Sequence, residues 1–324
     1  MRAYLVLDIG TSSAKGVLYR EDGTRLCASQ AAYDVAYPQA GWAEQDPETW
    51  WQAVQKICRQ VLSGSGGVQV RAICVSGQAP SCVPVDGRGK PLRPAILWLD
   101  RRSTPQVSWL RERLGQEKAE RISGNLLDSY YGGVKWLWFY QNEPSLYQQT
   151  WKILQVNSFV IFKLTGEVVV DHSQAGLCSP FYNLYQREWD AETCDLIGLE
   201  VSKLPAIRNS WEVIGQVTKQ AAKATLLPVG TPVVCGGGDY ACACQGAGVT
   251  EKGAAAMMLG TAGNLLVPAP ERSDVRLFNT VHVTGERLSL GGVMAGGAVH
   301  WFTAMLGDES PVFLSALEKE ALLV

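Results

Sequence analysis

The segment VLDIGTSSAKGVLY, residues 6–19, constrains this chain more than any other stretch. Val6 and Leu7 end an apolar strand, Asp8 closes it, and Gly10, Thr11, Ser12 and Ser13 form a turn of small, donor-rich residues. Ala14 to Tyr19 then returns as a second strand. Such a turn can aim several backbone amides and hydroxyls at one anion. A carboxylate beside it suits hydrated Mg2+, which keeps several waters and takes one or two carboxylates. The pattern points to nucleotide phosphate.

A second segment, AAMMLGTAGNLLV at residues 255–267, has the same sense: apolar strand, Gly260-Thr261-Ala262-Gly263, apolar strand. Alone, either copy is an ordinary hairpin pattern. Together, with Asp8 ahead of one, they suggest two related halves that hold phosphate from opposite sides.

The length of 324 residues is enough for two domains, and 47% hydrophobic with 19% charged residues can bury a large core. A net charge of −2 gives no reason to expect nucleic acid or a membrane surface as partner. The opening MRAYLVLDIG is a short apolar run closed by an acid, which reads as a strand and neither a leader nor a span. Nine cysteines show no ligand spacing, and Cys242 and Cys244, two apart, fall on different faces of a helix. Their odd number and apolar neighbours predict reduced thiols and a cytoplasmic protein. Three histidines are too few for a histidine-rich metal site.

The first ninety residues read as three strands, a helix and a strand, with the third strand at residues 25–30 and the later one at 68–75. Asp46-Pro47-Glu48 starts the helix: an N-cap acid, a proline at the first helical position and an acid near the positive end. Trp50, Val54, Ile57 and Val61 then form one apolar stripe. Residues 104–200 read as mainly helical, clearest at 132–141 and 147–164. A strand is expected at 212–217, a helix at 219–226, a buried strand at 232–235 and a helix at 240–245. Gly246-Ala247-Gly248 offers a hinge. The expected domains are 1–247 and 248–324.

These motifs together resemble those of the FGGY carbohydrate kinases, members of the actin-like ATPase superfamily, and most closely their xylulokinase-type branch. The resemblance rests on the first hairpin, GWAEQDPETWW at 41–51, VSGQAPSCVPVDGRGKPLRPAILWLDRR at 75–102, LTG at 164–166, PVVCGGGDYACACQGAG at 232–248 and LGTAGNLL at 259–266. It implies an α/β fold of the ribonuclease-H-like, actin-like ATPase kind, with one complete domain and the first part of a second. Family members continue past this point, and their adenosine-binding motif lies in that further part. The implied activity is ATP-dependent phosphorylation of a sugar hydroxyl on a ketopentose such as xylulose, or a related sugar or polyol, with Mg2+. The resemblance allows a homodimer.

Residue by residue, the resemblance makes Asp239 the catalytic base that accepts or orients the hydroxyl proton. Read alone, an acid after three glycines and before a helix is an N-cap, and both roles can coexist. Asp8 would hold magnesium through water, although a lone Asp at a strand end is commonly a turn residue. Gly10, Thr11, Ser12 and Ser13 would contact phosphates, and Lys15 would neutralise charge on the transferred group unless it is a solvated strand lysine. Gly260 and Thr261 would meet the nucleotide from the other domain. Gly296, in MAGGAVHW with His300, would touch it again or pack helices.

The sugar site is expected around Gly77-Gln78-Ala79-Pro80 and around Trp98-Leu99-Asp100-Arg101-Arg102, each after a strand end, with Gln78, Asp100 and Arg102 as its donors and acceptors and Asp239 completing it. For the second group the alternative is a charge cluster at a helix start. Xylulokinases carry Gly-Gln-Met-His where this chain has Gly-Gln-Ala-Pro, which removes a histidine donor to the sugar. Of eleven tryptophans, Trp50, Trp51, Trp136 and Trp138 read as core, and Trp42 as the one to line a cleft. Two rivals remain: a non-catalytic sugar-binding remnant lacking the adenosine motif, and an actin-like assembling scaffold. No Walker or GxSxG pattern is present.

Overall fold

The computed structural model describes residues 2–259, 262–268, 274–294, 302, 303 and 305. Strands Arg2–Ile9, Ser13–Arg20 and Arg25–Ala32 form an antiparallel meander. Strand Gln69–Gly77 runs parallel to the first of them, and Pro232–Gly238 runs parallel to Gln69–Gly77. Val213–Gln216 closes that side antiparallel, giving six strands in one sheet. The parallel strands Arg2–Ile9, Gln69–Gly77 and Pro232–Gly238 end side by side, pairing Asp8 with Ser76 and Gly77 with Gly238. Their C-terminal edge is where an open α/β sheet places ligands.

Helix Pro47–Ser63 forms for the reasons its sequence gives. Asp46 is the N-cap, and its carboxylate accepts the Glu48 amide at 3.0 Å, a contact typically worth ~1 kcal/mol. Trp50, Val54, Ile57 and Val61 are fully buried against the sheet. The helix approaches so closely that a Cβ on Gly16 would lie 2.3 Å from Ile57 Cγ2.

The expected helix over 147–164 is instead a short helix, a strand and a second helix: Pro144–Gln149, Lys152–Leu154 and Val156–Thr165. Lys152–Leu154 pairs antiparallel with Val83–Val85, a partner about seventy residues away in sequence. That pairing wins over a local helical pattern, as tertiary context does for short apolar runs. The other expected elements occur with shifted ends: Gly132–Asn142, Pro232–Gly238 and Asp239–Gly246 run slightly longer than expected, Val213–Gln216 and Lys219–Thr225 slightly shorter.

A second, four-stranded antiparallel sheet follows, ordered Ala256–Leu259, Ala262–Pro268, Arg287–Met294, Phe278–Val281. Its buried residues Ala256, Leu266, Leu288 and Leu290 share one apolar cluster with Leu127, Tyr131 and Val134 of the helical layer and with Tyr240. Among the described residues no helix is long and apolar enough to cross a membrane.

Gly16→Ala is expected to destabilise the chain by about 1–3 kcal/mol, the usual cost of overpacking against a stiff β-branched neighbour. A urea unfolding midpoint unchanged from wild type would show that the helix can move away.

Candidate active site

The turn between the first two strands is held from inside by its carbonyl groups. Gly10 O accepts from Tyr33 Oη at 2.8 Å and Gln78 Nε2 at 3.2 Å. Thr11 O accepts from Gln45 Nε2 at 2.6 Å, Ser12 O from the Tyr33 amide at 3.1 Å, and Ser13 O from the Gly10 amide at 3.0 Å. Among the described residues, the amides of Thr11 and Ser12 donate to no partner. With every carbonyl committed, the turn has donors left over, which is the chemistry of an anion nest.

The Thr11 hydroxyl is fixed between two side chains. It donates to Gln78 Oε1 at 3.0 Å and accepts from Trp98 Nε1 at 3.0 Å. Gln78 is itself buried, and its amide also donates to Gln45 Oε1 at 3.0 Å. Gln78 therefore braces the turn and has little left for a ligand.

Thr11 and Trp98 open onto a cavity of about 390 Å³, whose wall also includes Ala79, Arg101, Tyr130, Asp239 and Tyr240. The second sheet supplies Met258, Asn264, Phe278, Leu290 and Gly292 to the same wall. Met258 and Asn264 are cross-strand partners flanking the second Gly-Thr bend. The bend itself, Gly260 and Thr261, lies outside the described residues, as do Gly296 and His300.

Asp239 reaches this cavity because the strand before it is almost bare backbone. Gly236 adopts φ +66°, and a Cβ there would lie 2.0 Å from Val75 O. Gly238 takes the N-cap position of helix Asp239–Gly246, and the Asp239 carboxylate accepts the neighbouring Tyr240 amide at 2.7 Å. Asp239 is thus an acid in the first turn, favoured by the helix dipole, rather than the cap residue. Burial, reinforced by the negative charge of Asp8, raises its carboxyl to about 7. Asp8 accepts from Ser76 Oγ at 3.2 Å through Oδ1. Its Oδ2 accepts no hydrogen bond from the described residues, so one oxygen is available to a hydrated cation. The donor set, one carboxylate beside a phosphate-sized nest, fits magnesium held through water. Among the described residues no cluster of three or more His, Cys, Asp or Glu could hold a metal directly. Lys15 is the cross-strand partner of Asp8, is exposed, and forms no ion pair among the described residues.

Asp100 and Arg102, expected at the sugar, lie outside the cavity wall. Asp100 is fully buried; its carboxylate accepts from the Ala43 amide at 2.6 Å and from Arg102 Nη2 at 2.7 Å. Arg102 also pairs with Glu44 at 2.7 Å and stacks 3.6 Å over the Trp42 ring. Trp42, expected to line the cleft, is therefore half-buried in this ion-pair network, edge-on to Trp138. Pro80 packs near Gly132, leaving Ala79 as the residue of that pair on the wall. The same motif instead presents Trp98 and Arg101. Tyr130 joins them, stacked under Arg101 at 5.6 Å and held by buried Lys135, whose ammonium donates to the carbonyls of Tyr130 at 2.9 Å and Asp100 at 3.0 Å. Burial lowers that ammonium to about 7. The expected segment 98–102 does reach the cavity, but through Trp98 and Arg101 rather than through the Asp100 and Arg102 singled out as polar partners, and the wall it joins is largely aromatic.

The FGGY family of carbohydrate kinases, N-terminal domain, matches residues 3–246. The chain belongs to this family. It is 29% identical over 322 residues to the xylulose kinase of Escherichia coli (strain K12), covering 98% of this chain and 66% of that protein. To the glycerol kinase of Thermococcus onnurineus (strain NA1) it is 30% identical over 334 residues, covering 99% and 66%. The crystal structure of xylulose kinase from Rhodospirillum rubrum superposes with a TM-score of 0.92 at 30% identity, over 98% of this chain and 66% of that one. The FGGY chain described here thus spans just under two thirds of the length of these relatives. Its two sheets have the α/β, actin-like ATPase architecture of the sugar kinases.

The raised Asp239 carboxyl makes a stability prediction. Below about pH 4 the group is protonated in folded and unfolded chains alike and costs the fold nothing. As pH rises from about 4 to 7 the unfolded chain ionises freely while burial keeps the folded carboxyl protonated, so stability falls across that range and the cost is complete above the folded value. Asp239→Asn should therefore stabilise the chain by roughly 4 kcal/mol at pH 8, the cost of about three pKa units, and by little near pH 4. Equal urea midpoints at pH 8 would contradict the burial argument.

Proposed function

We propose that this FGGY chain is the sugar-binding and catalytic portion of an ATP-dependent kinase that phosphorylates a hydroxyl of a ketopentose such as xylulose, or of a related sugar or polyol. The observation that carries the reading is that Thr11 of the anion nest and the half-buried Asp239 line one cavity. The division between sugar and nucleotide domains is placed at 247/248, between the six-stranded and four-stranded sheets.

In this mechanism the sugar lies in the aromatic-walled cavity, with Trp98 and Tyr130 covering its apolar face. Arg101 and Asn264 supply donors at its edge. Ala79 supplies only a small wall residue, so the neighbourhood of Gln78, Ala79 and Pro80 shapes the site more than it hydrogen-bonds. Asp100 and Arg102 fix the loop that presents Trp98 and Arg101. Asp239 accepts the proton of the attacking hydroxyl; the oxygen bonds to the γ-phosphorus as the bond to the β-phosphate oxygen breaks, releasing ADP. Thr11 and Ser12 hold phosphate oxygens through their amides, free among the described residues, while Gly10, whose amide closes the turn on Ser13 O, and Ser13 shape the nest; Gly260, Thr261 and Gly296 are proposed for the same phosphate role. Asp8 would hold hydrated Mg2+, which neutralises phosphate charge when bound, and Lys15 adds positive charge at the same strand pair. A base near 7 is matched to neutral pH. Enclosing the cavity between the sheets keeps water from competing for the phosphoryl group.

ADP release measured with a panel of pentuloses, hexuloses, polyols and aldonates tests this directly. Turnover is expected with at least one ketose or polyol, with kcat/KM rising through about pH 7. Asp239→Asn should lower kcat by about 10²–10⁴-fold while sugar affinity stays within about an order of magnitude. Sugar binding without ADP release from any panel member would favour the sugar-binding remnant instead. A second variant separates the wall from the base: Trp98→Ala should weaken sugar binding about tenfold, the scale of a lost stacking contact, and leave the pH midpoint in place. Unchanged calorimetric affinity in that variant would remove Trp98 from the sugar site.

A further inference from the structure

Behind Asp239 lies a buried polar cluster to which phosphoryl transfer as described assigns no part. Asp171 and Ser173 are both fully buried at the start of the short helix His172–Gly176. Asp171 Oδ2 accepts the Ser173 amide at 2.7 Å, accepts the Ser173 hydroxyl, and lies 3.4 Å from Ser210 Oγ as a third donor. Capping a helix needs only the first of these. The Ser173 hydroxyl goes further: it accepts the amide of Gly238, 65 positions along the chain, at 2.9 Å. The Ser173 carbonyl accepts from Tyr240 Oη at 2.7 Å and from Thr280 Oγ1 at 2.8 Å.

Every polar group of Ser173 is therefore committed, and two of its partners are the residues immediately before and after Asp239. Of the other two, Asp171 lies on the same segment and Thr280 belongs to the second sheet. The approach is close: a Cβ on Gly237 would lie 3.0 Å from Ser173 Oγ and 3.3 Å from Asp171 Oδ2. Asp171 Oδ1 has no hydrogen-bond partner among the described residues although it is buried. A carboxylate left half-satisfied in the interior is costly, and such groups ask for a reason beyond packing.

We propose that Ser173 is a positioning residue for the Asp239 carboxylate, held in register by Asp171, and that its bond to Thr280 makes that position depend on where the second sheet sits. The inference rests on the reading of Asp239 as the base. A hydroxyl and a carbonyl on one residue clamp the Gly238 amide and the Tyr240 side chain, so the backbone that carries the acid cannot shift without breaking a buried bond. A misplacement of about 1 Å at such a group can cost about 10²-fold in rate.

The test uses the 324-residue chain with two variants and two readouts. Ser173→Ala removes the clamp on Gly238, and kcat is expected to fall roughly 10–100-fold with the sugar KM within about threefold. The midpoint of its kcat/KM pH profile should move to lower pH, because a looser Asp239 meets more water; the groups facing that carboxylate are Asp8, Tyr130, Tyr240 and Arg101. Thr280→Val, nearly the same shape, should shift both in the same direction by less. The second readout is the ¹³C titration of the Asp239 carboxyl, which needs no turnover. A wild-type chain with no turnover would sink the base assignment, yet a lower Asp239 midpoint in Ser173→Ala would still support the clamp. Variants that keep wild-type kcat and the wild-type Asp239 midpoint overturn it, as does a loss of thermal stability with both readouts unchanged. If Ser173→Ala fails to fold, Thr280→Val decides by the same criteria.

Discussion

The candidate site depends first on how the carbonyls of residues 10–13 are consumed. A tight turn at a strand end carries equal numbers of backbone donors and acceptors, so it is not by itself selective for anions. Here Tyr33, Gln45 and Gln78 approach from the protein side and take the acceptors. The turn is left with the amides of Thr11 and Ser12, free among the described residues, and becomes a donor surface. Gln78 and Gln45 bond to one another as well, so the turn rests on a connected amide network rather than on separate contacts. Partly satisfied networks of this kind are costly, and fully satisfied ones rigidify what they support. That rigidity is what a phosphate site needs, since its selectivity lies in fixed donors.

The second constraint is electrostatic. Asp239 and Asp8 stand close enough to affect one another, in a cavity with aromatic walls. Burial and like charge push the Asp239 proton affinity up, and the fold tolerates an acid there because three glycines bring the strand in without side chains of their own. The resulting base is stronger than a surface carboxylate and destabilises the folded chain when ionised. The catalytic role proposed for Asp239 and the stability of the fold therefore pull in opposite directions at one residue.

Much of the architecture was legible because local signals agreed with the fold. Asp46-Pro47 began a helix, the apolar stripe from Trp50 to Val61 packed on the sheet, and the turn at Gly10 joined two strands. Residues 147–164 were not legible as one helix because Lys152–Leu154 answers to Val83–Val85, and a distant partner leaves no trace in a local pattern. The site followed the same division. Residue type pointed to the right loop at 98–102 but not to the direction each side chain takes. Asp100 turns inward because the Ala43 amide and Arg102 satisfy it there. Trp98 turns outward because its indole N–H finds the Thr11 hydroxyl. Hydrogen-bond partners supplied by other segments decided which of two neighbouring residues met the cavity.

The placement of the second sheet explains why that cavity has a far wall. Asn125 and Asn279 exchange backbone and side-chain bonds: Asn125 Nδ2 donates to Asn279 O at 2.9 Å, and the Asn279 amide donates to Asn125 Oδ1 at 2.7 Å. Asn279 Nδ2 adds a bond to Gly124 O at 2.7 Å, and Ser289 Oγ and Tyr131 Oη complete the amides. Both asparagines are buried, so separating them would expose several unsatisfied donors and acceptors at once. Apolar contacts alone would let the sheet slide over the helical layer, because burial has no preferred direction. The reciprocal amide pair fixes a register, and Phe278, next in sequence to Asn279, is thereby delivered against Tyr130 with ring centres 4.8 Å apart. The wall opposite the anion nest is thus set by hydrogen bonds made away from the cavity, and it can move only as a unit with the strand that carries Thr280.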